Sequence, residues 1–416
     1  MTSLCFALLA PTASAAEDVA SEEMVPQVGA AENVGTSTPH FHAGSYGRVQ
    51  FSSDTAGGSG SAFNVATYGP RLEQGTYLEL DLSWMATTAD GARFDVLITP
   101  AFSGDLFHYD GQFSDDLAIR NLYAQAADFV PAPVELWAGA RMYRGDDIYL
   151  LDFWPLDNLN TYGGGAVVRP GSTEVAVHGG VNRLVGEEWQ YQTVTMQSPD
   201  DLGGEEVLVL DRQRTIGSLR LAQHFDLGAI TFRAKLYGEL HHLPPGSRLR
   251  DDMFEGLETE KLSEDQGSLM GGQLSVWGWA PQSFLHVWLR RSAGLAAYGD
   301  LTIPVDGLDL NLRAADARSW MFAVGGNHET KWFGVMAATY LSTFTDADGQ
   351  SVDFDDRIEW VSVARPTAWL TDHLALGVEL SHQRVQPRGL NPRVEEVVTP
   401  KVTKFSVLPA VQAGRG

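Results

Sequence analysis

Cysteine is almost missing: the 416 residues contain one, Cys5. A single thiol supports neither an intrachain disulfide nor a cysteine-rich metal site. Basic residues are scarce as well. Lys and Arg number 29 against 53 Asp and Glu, a formal net charge of -24, and this excess of acid argues against nucleic acid as a partner. No stretch approaches the ~20 consecutive apolar residues of a membrane helix, and mean hydropathy is only -0.13. Sustained helical periodicity is absent. So are a glycine loop followed by Lys-Ser/Thr, a nucleophile elbow and a Ser-His-Asp spacing. These absences set the expectation of no enzyme, no cofactor and no metal.

What the chain has instead is alternation. In the stretch ending at Trp84, Tyr77, Glu79, Asp81 and Ser83 interleave with Thr76, Leu78, Leu80 and Leu82. From Phe41, one parity reads Phe41, Ala43, Ser45, Gly47, Val49, Phe51 and the other His42, Gly44, Tyr46, Arg48, Gln50. Glu135, Trp137, Gly139, Arg141 and Tyr143 oppose Val134, Leu136, Ala138, Ala140 and Met142. The same holds for Thr231, Arg233, Lys235, Tyr237, Glu239 and His241 against Ile230, Phe232, Ala234, Leu236, Gly238 and Leu240, and for Leu374 to Ser381. Acids and arginines on one face, with Leu, Val and Trp on the other, describe a barrel with a wet interior and an oily exterior. The pattern predicts an all-β, transmembrane, antiparallel up-and-down β-barrel, that is, a pore. Alternation alone also permits a soluble sandwich or propeller.

The rest of the chain is read as punctuation. Residues 1-15 look like a secretory leader, with a short apolar core and a small-x-small site at Ala13-Ser14-Ala15, although a positive start is missing. Residues 16-40 are acidic and aperiodic, a flexible lead-in, and residues 41-416 form one barrel domain. Ser53 to Gly58, Thr161 to Gly165 (TYGGG) and Thr345 to Asp356 read as turn-rich links. His241 and His242 should face opposite walls, which excludes a shared metal. The DADG of Asp346 to Gly349 lacks the spacing of a calcium loop, so a solvated loop bridged loosely to lipopolysaccharide is expected. Arg290-Arg291 belongs near a membrane interface, because mid-strand placement would send one guanidinium into lipid.

Three segments, FHAGSYGR, RLEQGTYLEL and WAGARMYRGDDIYLLDFWPLD, resemble the maltoporin family of sugar-selective outer-membrane porins, and the resemblance returns in WVSVARPTAWLTDHLALGVEL and KFSVLPAVQAG. The resemblance implies an eighteen-stranded homotrimeric barrel in the outer membrane of a Gram-negative bacterium, in contact with its lipid and lipopolysaccharide. It implies passive, facilitated diffusion of oligosaccharides of the maltose and maltodextrin kind. Tyr46, Tyr77 and Trp154 then match sugar-stacking rings, and Phe113 lies in the second loop, which in such trimers reaches a neighbour. Arg48, Arg71, Glu79 and Arg120 match the polar track, and Asp147 and Asp152 two constriction carboxylates. The family's constriction arginine falls on Gly145, with Arg144 beside it, and its constriction tyrosine on Trp154. About two closing strands of such a barrel are unaccounted for after Gln412, which reads as a fragment of a longer chain.

The chemistry is consistent with that role. A sugar offers hydroxyls at its rim and weakly apolar faces, so a guiding channel needs flat rings and fixed donors and acceptors. Binding must also be weak and repeated for the sugar to leave. Replacing a phenol by Trp154 and an arginine by Gly145 predicts a fuller lumen on one side, opened space on the other, and a lean toward stacking. Two other readings stay open on the residues alone. One is a general diffusion porin with a merely polar lumen. The other is a β-rich polysaccharide-degrading enzyme using Asp147 and Asp152 as an acid and base pair.

Overall fold

The computed structural model describes residues 4–9, 39–53, 56–58, 63–73, 75–104, 116–130, 132–182, 190–197, 204–252, 256–298, 307–349, 354–391 and 393–412. Phe113 lies outside them. The chain forms β1 (Leu4–Leu9), β2 (His40–Ser53), β3 (Tyr77–Thr87), β4 (Arg93–Ser103), β5 (Asp116–Ala127), β6 (Val134–Arg144) and β7 (Asn158–Val168). There follow β8 (Thr173–Asn182), β9 (Tyr191–Gln197), β10 (Gly204–Asp211), β11 (Arg214–Leu227), β12 (Ile230–Leu243), β13 (Gly246–Asp252) and β14 (Gly256–Leu262). The last are β15 (Asp265–Trp277), β16 (Phe284–Gly294), β17 (Arg318–Glu329), β18 (Phe333–Thr345), β19 (Arg357–Trp369), β20 (Leu374–Pro387) and β21 (Lys401–Val411).

Among the described residues seventeen strands join one antiparallel sheet, paired in chain order with β8 meeting β11 and β12 meeting β15. The hairpins β9–β10 and β13–β14 stand outside it as separate two-stranded ribbons. Without β1, which pairs with the second half of β2, sixteen strands run from His40 to Val411. Among the described residues no pairing joins β21 back to β2. Connections alternate in length. Those after β3, β5, β7, β11, β15, β17 and β19 take two to six residues, whereas the others take eleven or more. Short turns therefore collect at one end of the wall and long loops at the other, as up-and-down strands require.

Burial inverts the usual rule for a globular protein. In β12, Leu236 and Leu240 are 65% and 71% exposed, while Arg233 and Lys235 are 3% and 2% exposed. Glu135, Trp137, Arg141 and Tyr143 are buried in β6 with Leu136 outside, and Glu379 and Ser381 are buried in β20 with Leu376 and Leu380 outside. The outward parity carries Trp84, Ile119, Leu274, Leu289, Trp320, Trp360 and Phe405. That belt suits hydrocarbon, in which every strand must also find its hydrogen bonds in its neighbours.

The TYGGG segment is a correction: Thr161 to Gly165 is no link but lies inside β7. Its glycines serve close approach. A Cβ on Gly163 would come 2.1 Å from the Gly179 carbonyl oxygen, and one on Gly165 2.6 Å from Trp137 Nε1. Gly139, opposite Gly163 in β6, has φ of +138° and would place a Cβ 2.3 Å from the Leu122 carbonyl oxygen. Just beyond this pair the β6–β7 ribbon leaves its neighbours. Pairing with β5 ends at Leu122–Ala140, and pairing with β8 ends at Tyr162–Val181, while β6 and β7 stay paired to Arg144–Asn158. The ribbon carries the 145–157 loop into the lumen. There Ile148, Leu150, Leu151, Phe153 and Leu156 pack with Trp288, Met321, Tyr340, Val361 and Val363 in the largest apolar cluster.

Candidate functional site

Two segments furnish the lumen, both anchored on residues far along the chain. Residues 63–73 reach across to β18–β20. The Val65 and Ala66 N–H groups donate to Gln383 Oε1 (3.0 and 3.2 Å), the Thr67 N–H to Glu359 Oε2 (3.1 Å), and the Tyr68 N–H to Tyr340 Oη (3.2 Å). The Tyr68 ring stacks on Phe153 of the second segment at 3.7 Å. Loop 145–157 is the second, and Arg290 Nη1 donates to its Pro155 carbonyl (3.0 Å).

Opposite this packed side lies a half-buried strip that brings together most of the residues singled out from sequence. Tyr46 and Tyr77 are neighbours, with centroids 6.2 Å apart. Arg48 donates to the Gly75 carbonyl at 2.7 Å and lies 5.6 Å from the Tyr77 ring centre. Arg71 sits in a 3-10 turn, Arg71–Glu73, ahead of β3 rather than in it. It donates to the Tyr46 hydroxyl, stacks over Tyr149 at 4.7 Å and pairs with Asp152 at 3.7 Å. Burial opposes the charge on Arg71, but Asp152, followed by Tyr149, Tyr46 and Asp147, outweighs it, and the pKa is raised above the ordinary arginine value. Tyr77 donates to Glu79, and Arg120 donates to both. Arg144 lies 3.9 Å from the Trp154 ring centre and donates to Asn158 Oδ1 at 3.0 Å.

The opened space expected at Gly145 does not exist. A Cβ there would fall 1.8 Å from Asp157 Oδ1. Asp157 is itself fixed, by Arg220 at 3.1 Å and by the Gly145 N–H donating to its carbonyl at 2.9 Å. The position is closed by a buried carboxylate, and the guanidinium over Trp154 comes from Arg144.

Sequence reasoning passed over several lumenal groups. Asp146 turns from the lumen into the wall, where it meets Lys235 at 2.7 Å and Arg233. Burial alone would raise its pKa, but Lys235 and Arg233 hold the carboxyl well below the usual range. Tyr149, flanked by Asp147 and Asp152 in the loop, supplies the ring under Arg71. A column of rings, Trp137, Tyr143 and His178, stacks at 5.2–5.8 Å with Arg141 over it. Trp369 shares the inward parity of Val361 and Val363. At the short-turn mouth it lines a cavity of about 240 Å³ with Glu329, Lys331, Trp332 and Asp372. Extending the inward parity of WVSVARPTAW by six residues from Val363 would have found it.

The weaker features take these places. His241 is buried against Glu239 (2.7 Å) while His242 is exposed. The Asp346 and Asp348 N–H groups donate within their own loop, to Asp356 Oδ1 and Asp346 Oδ1. No cluster that could hold a metal occurs among the described residues. Arg291 is exposed over the outward ring of Trp320, at 5.5 Å.

A search of curated proteins gives no match. Distant likenesses to solved structures are to OmpT, an outer-membrane protein of Vibrio cholerae (11% identity, TM-score 0.44, 88% of this chain and 96% of that one), and to OccK2 of Pseudomonas aeruginosa (13%, 0.36, 90% and 96%). A third is to Salmonella typhi OmpF, solved with daunomycin (9%, 0.41, 89% and 96%). The LamB porin family matches residues 41–416, from the first strand of the sixteen to the end. With its polar lumen, apolar belt and loop turned inward, the chain belongs to the LamB porin family, channels of the Gram-negative outer membrane.

Proposed function

We propose that this channel is a sugar-selective passive porin, working as a homotrimer embedded in outer-membrane lipid and lipopolysaccharide. Its substrates are oligosaccharides of the maltose and maltodextrin kind. The observation that carries the reading is the strip itself: Tyr46, Arg48, Arg71, Tyr77, Glu79, Arg120, Arg144, Asp147, Asp152 and Trp154 are all half-buried. They are neither sealed in a core nor turned to lipid, and rings alternate with donors and acceptors along it. A sugar passing there exchanges one hydroxyl partner for the next while its faces ride on the rings. Phe113 is assigned by resemblance alone to the loop that meets a neighbouring subunit. The leader is cleaved after Ala15, which would remove β1 and leave the sixteen strands from His40.

One feature favours a second reading, a general diffusion pore. Guanidinium groups already lie over Tyr46, Tyr77 and Trp154, two of them over Tyr77, which reduces the ring surface left for a sugar. Single-channel recording in planar bilayers separates the two readings. Saturable block of ion current by maltose or maltotriose is the expected result. Current that falls only in proportion to solution viscosity, for every sugar tried, would assign the general pore.

A further inference from the structure

We propose that Asp146, gripped by Arg233 and Lys235 of β12, is a positioning residue that sets the bore of the channel by fixing how far the constriction loop stands from the wall. Neighbouring side chains at the start of that loop diverge. Asp147 stays half-buried toward Arg71, whereas Asp146 is 4% exposed and points into the β12 wall. One carboxylate bridges two buried cations, with Lys235 at 2.7 Å and Arg233 as hydrogen-bond donor. Lys235 also reaches to 4.0 Å from Asp157, at the far end of the same loop. Asp157 in turn binds Arg220, and Arg220 binds Glu174 of β8 at 3.0 Å. Both ends of the loop are therefore pinned to one ionic network on β8, β11 and β12, while its middle is held by apolar packing on β16–β19.

The geometry has a directional consequence. A charge-assisted hydrogen bond between buried partners is short and directional, so each one fixes the position of the loop end that makes it. The polar pins thus define the loop's position, and the apolar face supplies adhesion. Asp147 is one peptide from the pin, and Asp152 and Trp154 lie between the two pins, so their placement across from Arg71 and Arg144 is inherited from Asp146. Nothing in this requires Asp146 to touch a sugar.

The test compares Asp146→Asn with Asp147→Asn in planar bilayers, using maltotriose as the probe of block and a spin label at Tyr149→Cys as the probe of loop motion. Cys5 lies in the leader, so the label has one target in the cleaved chain. Asp146→Asn should raise open-channel conductance and current noise, loosen the label, and weaken block by roughly tenfold, the equivalent of one lost hydrogen bond. Asp147→Asn should weaken block without changing noise or label mobility. If Asp146→Asn does not assemble, Lys235→Met, which leaves Arg233 on Asp146, should show the same changes to a smaller degree. Unchanged conductance, noise and label mobility in the Asp146 and Lys235 variants would overturn the proposal, because apolar packing would then suffice. The effect on block rests on the sugar-porin reading. If the wild type shows no block at all, that reading fails, while conductance, noise and mobility still decide the clamp.

Discussion

Ile148, Leu150, Leu151 and Phe153 turn toward β16–β19 and are sealed from water, whereas Asp147, Asp152 and Trp154 of the same loop stay half-buried beside Arg71 and Arg144. The first side behaves like the core of a soluble protein, assembled inside a barrel that otherwise has a polar interior. The second behaves like a surface. A loop with only the second character would have no reason to remain in the lumen, since water satisfies its groups equally well elsewhere. With only the first it would plug the channel. Adhesion and passage are divided between its two edges, and the division is sharp enough for single substitutions to address one without the other.

The largest effect is expected on the sealed side. Phe153→Ala removes a fully buried ring stacked on Tyr68, and large-to-small changes of this kind cost about 3–5 kcal/mol. A lowered temperature for heat-induced unfolding in detergent would register it, together with noisy current. An unchanged transition would mean that the loop is held by its polar pins alone. On the open side, Asp152→Ala deletes an acceptor and the ion-pair partner of Arg71. Sugar affinity should fall by roughly 1–3 kcal/mol while ion conductance moves little; proportionate loss of both would reduce the aspartate to a shape-giving role. Trp154→Ala should cost less, about 0.5–1.5 kcal/mol of sugar affinity, and should increase conductance as the ring leaves the lumen. Titration of block by maltose, maltotriose, sucrose and a non-glucan oligomer checks it, and equal block by all four before and after would place the ring off the pathway.

The smallest effect is a pH change that should do nothing. The Asp146 carboxyl is held well below the usual carboxylate range by Lys235 and Arg233, against burial. A depressed folded pKa gives stability that is complete above the unfolded value, near 3.9, and is lost only as pH falls through the folded one. Between pH 7 and about 4.5, loop position should therefore be constant, as read by label mobility at residue 149. Loosening within that window would show that the ionic grip is weaker than its geometry implies.

Much of the wall was legible because lipid and water impose a period of two, and residues such as Leu236 and Arg233 declare their sides. The polar strip was legible through resemblance and parity together, as with Tyr77 and Glu79. Asp146 was not. An acid in a loop beside other acids reads as solvated, and its partners lie 87 and 89 residues away. Gly145 misled for a related reason: local sequence shows a missing side chain but not that Asp157 has taken its place. The glycines of TYGGG resembled a turn because a glycine that permits contact and one that permits bending look alike until the neighbouring strand is known.

The seating of residues 63–73 has a consequence in time. Their hydrogen-bond partners Tyr340, Glu359 and Gln383 follow them by 272 to 318 positions. Contacts of such separation form late, since the chain between them must be ordered first. A partly assembled wall that ends before β18 leaves this segment only its contacts with Tyr46 and the 145–157 loop, and one that ends before β12 lacks Arg233 and Lys235 to hold Asp146. The lumen is thus wide while the barrel is being built and narrows only as its last strands arrive. Any chain halted midway through insertion would be a leak rather than a narrowed channel, which makes completion of the far strands, remote from the half-buried strip in sequence, the event that sets the bore.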